Sequence, residues 1–300
     1  MSGRTESPYT QHQFRFMRRA LALAGKGRFS VWPNPRVGCV ITQPGTSAEA
    51  DSRIIGEGYH SKKGEPHAER MALASCAESP RGGTMYVTLE PCCHHGATPP
   101  CTEAILEAGI QQVFIAIRDP FPQVNGKGVE ILRKQGIQVD VGLLEEEAWY
   151  ENRFFFHRHQ QGTPWVLLKT AITLDGKCAT ASGHSKWITS EAARAHVHKI
   201  RGEMDAIAIG IGTLKADDSL LTARIPEAET ALFVPPVRIV LDPFLDLPLR
   251  SKMLASVEQA PVWVFCAKTA PNANQKQIES AGANVIPVSG TGPRLDLKEI

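Results

Sequence analysis

Three side chains suited to holding a metal and one suited to moving a proton stand close together in the chain: His67, Cys92 and Cys101, with Glu69. Imidazole and thiolate are ligands that zinc favours in a tetrahedron. Three protein ligands leave the fourth position for water, as in a catalytic site. Zinc lowers the pKa of such a water to about 7, which makes it a nucleophile at neutral pH. Glu69, two residues after His67, is placed to reach that water without binding the metal itself. A carboxylate there can take the water's proton, pass it to a ring nitrogen and then help to protonate a departing amine. The expected chemistry is attack on a ring carbon that bears an amino group, with loss of ammonia.

The order His-x-Glu followed by Pro-Cys-x-x-Cys is a pattern of zinc deaminases that act on bases. His67-Ala68-Glu69 and Pro91-Cys92 fit it, but the second thiolate, Cys101, comes nine positions after Cys92 instead of three. His95 occupies the position three after Cys92 and is a rival ligand. Cys101, which opens a helix behind two prolines, is the better candidate. A purely structural ion would take a fourth ligand from Cys93, His94 or His95 and would leave Glu69 idle.

Such residues need elements that bring them together. Phe14, Met17, Leu21 and Ala24 mark one helical face, and Gly25 and Gly27 end that helix. Val37 to Thr42 and Arg53 to Tyr59 read as two strands of a hairpin around Pro44-Gly45. Pro66 suits the first turn of a second helix, which carries Glu69. Thr84 to Leu89 is a strand that Glu90-Pro91-Cys92 terminates, and Pro99-Pro100 opens a third helix from Cys101 to Ala108. Helix N-termini favour thiolate over thiol. A strand from Val113 to Ile117, a helix from Val129 to Gln135 and a strand from Gln138 to Val141 follow. Strands alternating with helices imply a three-layer α/β/α domain over residues 1–150. A charged helical stretch from Leu144 to His159 leads to a boundary at Gln160 to Pro164. Met1 to Gln13 reads as a loose tail with no apolar segment of a secretory signal.

A second domain, residues 163–300, restarts the pattern. It reads as a strand from Trp165 to Ala171, a turn at Thr173-Leu174-Asp175-Gly176 and a helix capped by Ser190 that runs to about Arg201. Strands follow at Ala206 to Ile211, Val237 to Leu241, Val262 to Phe265 and Val285 to Val288, and a helix begins near Leu295. No G-x-G-x-x-G follows a strand, so a Rossmann reading has little support.

Composition narrows the function classes. Of 300 residues, 42% are apolar and 21% charged, the balance of a globular chain, and the net charge of +2 gives no reason to expect nucleic acid or an anionic membrane as a partner. Seven cysteines, an odd number, make a poor disulfide framework. Three of them beside two histidines indicate metal in a reducing compartment, hence a cytoplasmic location. A homodimer is expected only because two-fold oligomers are the commonest. Two rival functions are a nucleic-acid base deaminase, which wants a basic groove, and a zinc-stabilised binding module, which wants four protein ligands.

Longer runs add a resemblance. Pro33-Asn34-Pro35-x-Val37-Gly38, Gly56-Glu57-Gly58-Tyr59-His60, Gly64-Glu65-Pro66-His67-Ala68-Glu69, Tyr86-Val87-Thr88-Leu89-Glu90-Pro91-Cys92, His94-His95-Gly96 and Thr98-Pro99-Pro100-Cys101 resemble the bifunctional deaminase–reductase (RibD) family of riboflavin biosynthesis. That family shows the wide cysteine spacing. The resemblance implies 2,5-diamino-6-(5-phosphoribosylamino)pyrimidin-4-one as substrate, losing its 2-amino group, with Asn34 and His60 as substrate contacts. A turn role between two prolines is the plainer reading of Asn34. Where the family commonly has a Lys or Arg that meets the phosphate, this chain has Ala97, so other cations are expected to serve.

In the second half, Lys169-x-Ala171-x-Thr173-Leu174-Asp175-Gly176-Lys177, Ser185-x-Trp187-Ile188-Thr189-Ser190 and Gly212-Thr213-x-x-x-Asp217-Asp218-x-x-Leu221-Thr222-x-Arg224 resemble the family's reductase domain. The resemblance implies a dihydrofolate-reductase-like α/β fold and hydride transfer from NADPH to the opened ribose. Ala171, Trp187, Thr213 and Asp217 would line the NADPH site. Ser185, Arg201, Leu221 and Arg224 would hold the substrate, with Lys169 near the sugar. A later strand ending in an acidic, glycine-rich loop is also implied; the sequence stops at Ile300 before it, so the expectation is an incomplete reductase half or a deaminase-only enzyme.

Overall fold

The structure, a computed structural model, describes residues 7–45, 52–96, 99–225 and 233–300. Ala97 and the hairpin tip at 46–51 lie outside the described residues. The chain divides into two compact units, Met1–Leu168 and Lys169–Ile300. None of the described helices is long and apolar enough to cross a membrane.

The first unit is built on five strands: β1 (Gly38–Gln43), β2 (Arg53–Tyr59), β3 (Thr84–Val87), β4 (Gln112–Ile115) and β5 (Gln138–Val141), in the order β2-β1-β3-β4-β5. β1 pairs antiparallel with β2 and β3, and β3, β4 and β5 run parallel. Successive side chains of a strand point to opposite faces, and both faces here are apolar. Cys39, Ile41, Met85, Val87, Val113 and Ile115 pack on one face against α2 (Ala68–Ala74), α3 (Cys101–Glu107) and α4 (Lys127–Lys134). Val40, Tyr86 and Phe114 pack on the other against α1 (Gln11–Ala24), α5 (Glu145–Glu151) and α6 (Arg153–Gln161). The three layers expected from the sequence are present.

Two local features set the helices that matter most. Gly58 on β2 lets α2 sit directly on the sheet: a Cβ there would lie 2.3 Å from the amide nitrogen of Ala72 and 2.4 Å from the carbonyl oxygen of Ala68. Asn152 ends α5 and begins α6. Its buried side chain accepts from the Arg36 amide at 2.7 Å and donates to the Arg36 carbonyl at 2.8 Å, tying the helical pair to the Asn34-Pro35-Arg36 loop. The single helical stretch expected from Leu144 to His159 is therefore two helices.

The N-terminal tail is shorter than expected. Thr10 caps α1 through a capping box with Gln13, and the Tyr9 hydroxyl donates to the Val141 carbonyl at 3.1 Å.

In the second unit, β6 (Ala206–Gly210), β7 (Val237–Leu241), β8 (Val262–Ala267) and β9 (Asn284–Val288) form a parallel sheet in sequential order. α7 (Glu191–Gly202), α8 (Ile211–Asp217) and α9 (Asn272–Ser280) accompany it, over a core that includes Leu214, Val240, Met253, Val264 and Ile278. Two expectations fail here. Residues 165–171 form no strand: no described strand pairs with them, and an unpaired strand leaves its backbone groups unsatisfied. Val166 and Leu168 are largely exposed. The expected helix near Leu295 is instead half of a short hairpin, β10 (Gly290–Thr291) with β11 (Arg294–Leu295). Positive φ at Gly292 suits its turn.

Candidate active site

His67, the N-cap of α2, and Cys101, the first residue of α3, are brought together because both helices begin at the same end of the same face of the sheet. Cys92 joins them from the loop after β3. The Sγ atoms of Cys92 and Cys101 each lie 3.4 Å from His67 Nδ1, and all three ligand atoms lie within 4.8 Å of one another. Tetrahedral zinc with its usual Zn–N and Zn–S lengths would hold nitrogen and sulfur about 3.5 Å apart, so this donor set fits the ion with little adjustment. The Cys101 amide donates to Cys92 Sγ at 3.3 Å. Hydrogen bonding between the two thiols pulls the Cys92 thiol down and, with burial, pushes Cys101 up; a bound dication would favour thiolate at both.

The rival ligands are elsewhere. His95 is exposed and faces Glu103, with Nε2 3.9 Å from Oε1. Cys93 Sγ lies 3.7 Å from the Gln123 carbonyl. Neither residue, nor His94, belongs to the metal-competent group among the described residues.

Glu69 is buried in the first turn of α2. Burial, reinforced by Cys92, pushes its carboxyl up to about 7, where it can both accept and return a proton near neutrality; a bound dication draws it back towards the carboxylate.

The metal-competent group opens onto a cavity of about 410 Å³ that Glu69, Asn34 and His60 also line. His60 is buried, and burial lowers its pKa, so the neutral ring dominates. Its Nδ1 lies 3.2 Å from the Pro66 carbonyl, which can only accept, so the proton sits on Nδ1. Nε2 is then an acceptor and takes the Asn34 amide N–H at 3.0 Å. This leaves the Asn34 oxygen available to a ligand N–H.

Two carboxylates that line the cavity are not among the residues expected from the sequence. Asp119, after β4, has a carboxyl pushed up to about 6 by burial, and it accepts from the Phe121 amide at 2.8 Å. Glu90 precedes Pro91-Cys92, and its buried carboxylate accepts from the amides of Gly126 (2.9 Å), Val129 (3.2 Å) and Asp119 (3.3 Å). It thus caps α4, whose own N-cap is Gly126, and locks the Cys92 loop to that helix. A Cβ on Gly128 would lie 2.3 Å from the Pro91 carbonyl, so the glycine is what permits the contact. The signal was present in Glu90-Pro91-Cys92, but only the fold reveals which amides it meets. Glu90→Gln puts a donor among three N–H groups. It is expected to destabilise the first unit by about 2–4 kcal/mol, seen as a lower melting temperature of the zinc-loaded protein; an unchanged temperature would contradict this role.

The second unit assembles part of the expected set. Arg201 Nη1 donates to the Thr222 carbonyl at 3.4 Å, and the Arg224 amide donates to His198 Nδ1 at 3.3 Å, so both arginines gather at one corner. Burial, then Arg224, lowers the pKa of Arg201. Leu221 is buried beside them with φ of 53°, and Arg238, buried on β7, fixes that loop by donating to the Leu220 carbonyl at 3.1 Å. Thr213 and Asp217 share a face of α8. Trp187 is exposed, with the Arg194 guanidinium 4.2 Å from its ring centre. Lys169 and Ala171 lie in the segment without helix or strand that follows α6, and Ser185 precedes Trp187 by two positions. Among the described residues these three make no side-chain hydrogen bond with the arginine corner.

A three-layer α/β/α unit with a His-Cys-Cys triad and a buried glutamate beside it defines the class: a zinc-dependent deaminase of the cytidine-deaminase type. Residues 10–117 match the cytidine and deoxycytidylate deaminase zinc-binding region, and residues 164–300 match the RibD C-terminal domain. The riboflavin biosynthesis protein RibD of Aquifex aeolicus is 45% identical over 285 residues, covering 95% of this chain and 76% of its own length. That of Actinobacillus pleuropneumoniae is 45% identical over 287 residues, covering 95% and 72%. Among solved structures, Acinetobacter baumannii RibD superposes with a TM-score of 0.82 at 40% identity, covering 93% of this chain and 75% of that one. A Thermotoga maritima diaminohydroxyphosphoribosylaminopyrimidine deaminase/5-amino-6-(5-phosphoribosylamino)uracil reductase gives 0.78 at 41%, covering 91% and 73%.

The chain belongs to the RibD family of riboflavin biosynthesis, bifunctional enzymes that join a zinc-dependent deaminase to an NADPH-dependent reductase.

Proposed function

We propose that the first unit deaminates 2,5-diamino-6-(5-phosphoribosylamino)pyrimidin-4-one with zinc held by His67, Cys92 and Cys101. The observation that carries this reading is the closure of those three donors beside a buried glutamate. Bound zinc supplies the acidity of a coordinated water, whose pKa it lowers to about 7. Glu69 accepts a proton at its carboxylate as the water oxygen bonds to the pyrimidine C2. It passes that proton to the ring nitrogen and assists protonation of the amine as the C2–N bond breaks. Water is consumed and ammonia leaves. Asn34, held by His60, offers its carbonyl oxygen to a donor on the substrate.

In the second unit, Ala171, Trp187, Thr213 and Asp217 are assigned to the NADPH site, and Ser185, Leu221, Arg201 and Arg224 to the substrate, with Lys169 near the sugar. NADPH supplies the hydride that converts the ribosyl chain to ribityl. Two adjacent arginines suit a phosphate. A cytoplasmic location and a homodimer complete the reading: the first follows from the thiolate chemistry, the second from the prevalence of two-fold assemblies.

The test is ammonia release from the diaminopyrimidine by the zinc-loaded chain, followed by NADPH oxidation on the product. Stoichiometric ammonia supports the reading. Release from cytosine or adenine in nucleic acid, with none from the diaminopyrimidine, would overturn it.

A further inference from the structure

Among the described residues, the cavity that holds the deaminase site is lined by three carboxylates, Glu69, Glu90 and Asp119, but by only one guanidinium or ammonium group, that of Arg158. Arg158 stands in the last turn of α6 and is exposed. Among the described residues its side chain makes no ion pair or hydrogen bond.

Its neighbours carry further donors. His159, also lining the cavity, has its ring 4.4 Å from that of Phe155 and 5.5 Å from that of Phe121. Phe121 in turn lies 6.0 Å from the ring of His94, whose buried Nδ1 has no hydrogen-bond partner among the described residues. Two imidazoles and two phenyl rings thus meet along one part of the wall of a cavity that Arg158 also lines. The metal-competent triad and the Asn34–His60 pair lie on other elements. Asn152 fixes α6 against the Asn34 loop, so Arg158 projects from an anchored helix.

We infer that Arg158, with His159 and His94 as neighbouring donors, forms a subsite for the phosphomonoester of the deaminase substrate and makes Arg158 a specificity-determining residue. The inference rests on the substrate reading above. A guanidinium suits a phosphate because its planar fork donates two parallel hydrogen bonds to two oxygens. Among the described lining residues, a phosphate carried into a cavity with three carboxylates would otherwise meet no guanidinium or ammonium group.

The test compares the phosphorylated diaminopyrimidine with its dephosphorylated riboside, using wild type, Arg158→Ala and Arg158→Lys, all zinc-loaded and full length. Wild type is expected to favour the phosphorylated compound. In Arg158→Ala the KM for that compound rises about tenfold or more, the loss falling on KM and not on kcat, and the preference over the riboside collapses. Arg158→Lys recovers part of it, because charge survives and the fork does not. A wild type active on both compounds whose preference is unchanged in Arg158→Ala overturns the inference alone. A wild type that releases ammonia from neither overturns the substrate reading, and the inference with it.

Discussion

Glu69→Gln is expected to lower the kcat for ammonia release by about 10²- to 10⁴-fold while one zinc per chain stays bound. Glu69 is buried next to the three metal-competent donors but is not one of them. The amide is nearly isosteric, so the site should keep its shape and its ion. What goes is the ability to take a proton from water and return it to the ring and the amine. Zinc content and kcat, measured on the same preparation, separate this from a structural role. If zinc is lost together with activity, Glu69 holds the site together; if activity persists, another group moves the proton.

Cys101→Ala is expected to reduce bound zinc to below about a tenth of an ion per chain at micromolar protein and to abolish deamination. Two donors remain, and they bind the ion far more weakly than three. The Cys101 amide that donates to Cys92 Sγ would survive, but the Cys101 sulfur would not. Chelation of the wild type should produce the same inactive state. Added zinc then restores the wild type and not the variant. Full zinc in Cys101→Ala would mean that His95 or Cys93 can complete the set, which their positions in the structure argue against.

The metal-competent triad could be read from the chain because its signal is local: a histidine two residues before a glutamate, a cysteine closing a strand, and a cysteine behind two prolines opening a helix. The layers could be read for the same reason, since β1, β3 and β4 are short apolar runs between turn-forming residues. Glu90 could not, because its role depends on the amides of Gly126 and Val129, more than thirty residues away. Asn152 was hidden likewise: a polar residue inside a helical stretch looks solvated until its partner, Arg36, is known. α9 passed unnoticed because it buries little beyond Ile278, which leaves almost no apolar period to detect. The segment at 165–171 failed in the opposite sense. Its composition favours a strand, but a strand is made by its neighbour, and among the described residues it has none.

In the proposed site, three protein donors share one zinc ion and leave a coordination position to solvent. X-ray absorption at the zinc edge of the loaded chain tests it directly. Two sulfurs at about 2.3 Å, one imidazole nitrogen at about 2.0–2.1 Å and one oxygen ligand from solvent are expected. A first sphere filled by a third sulfur or a second imidazole, with no solvent oxygen, would contradict it.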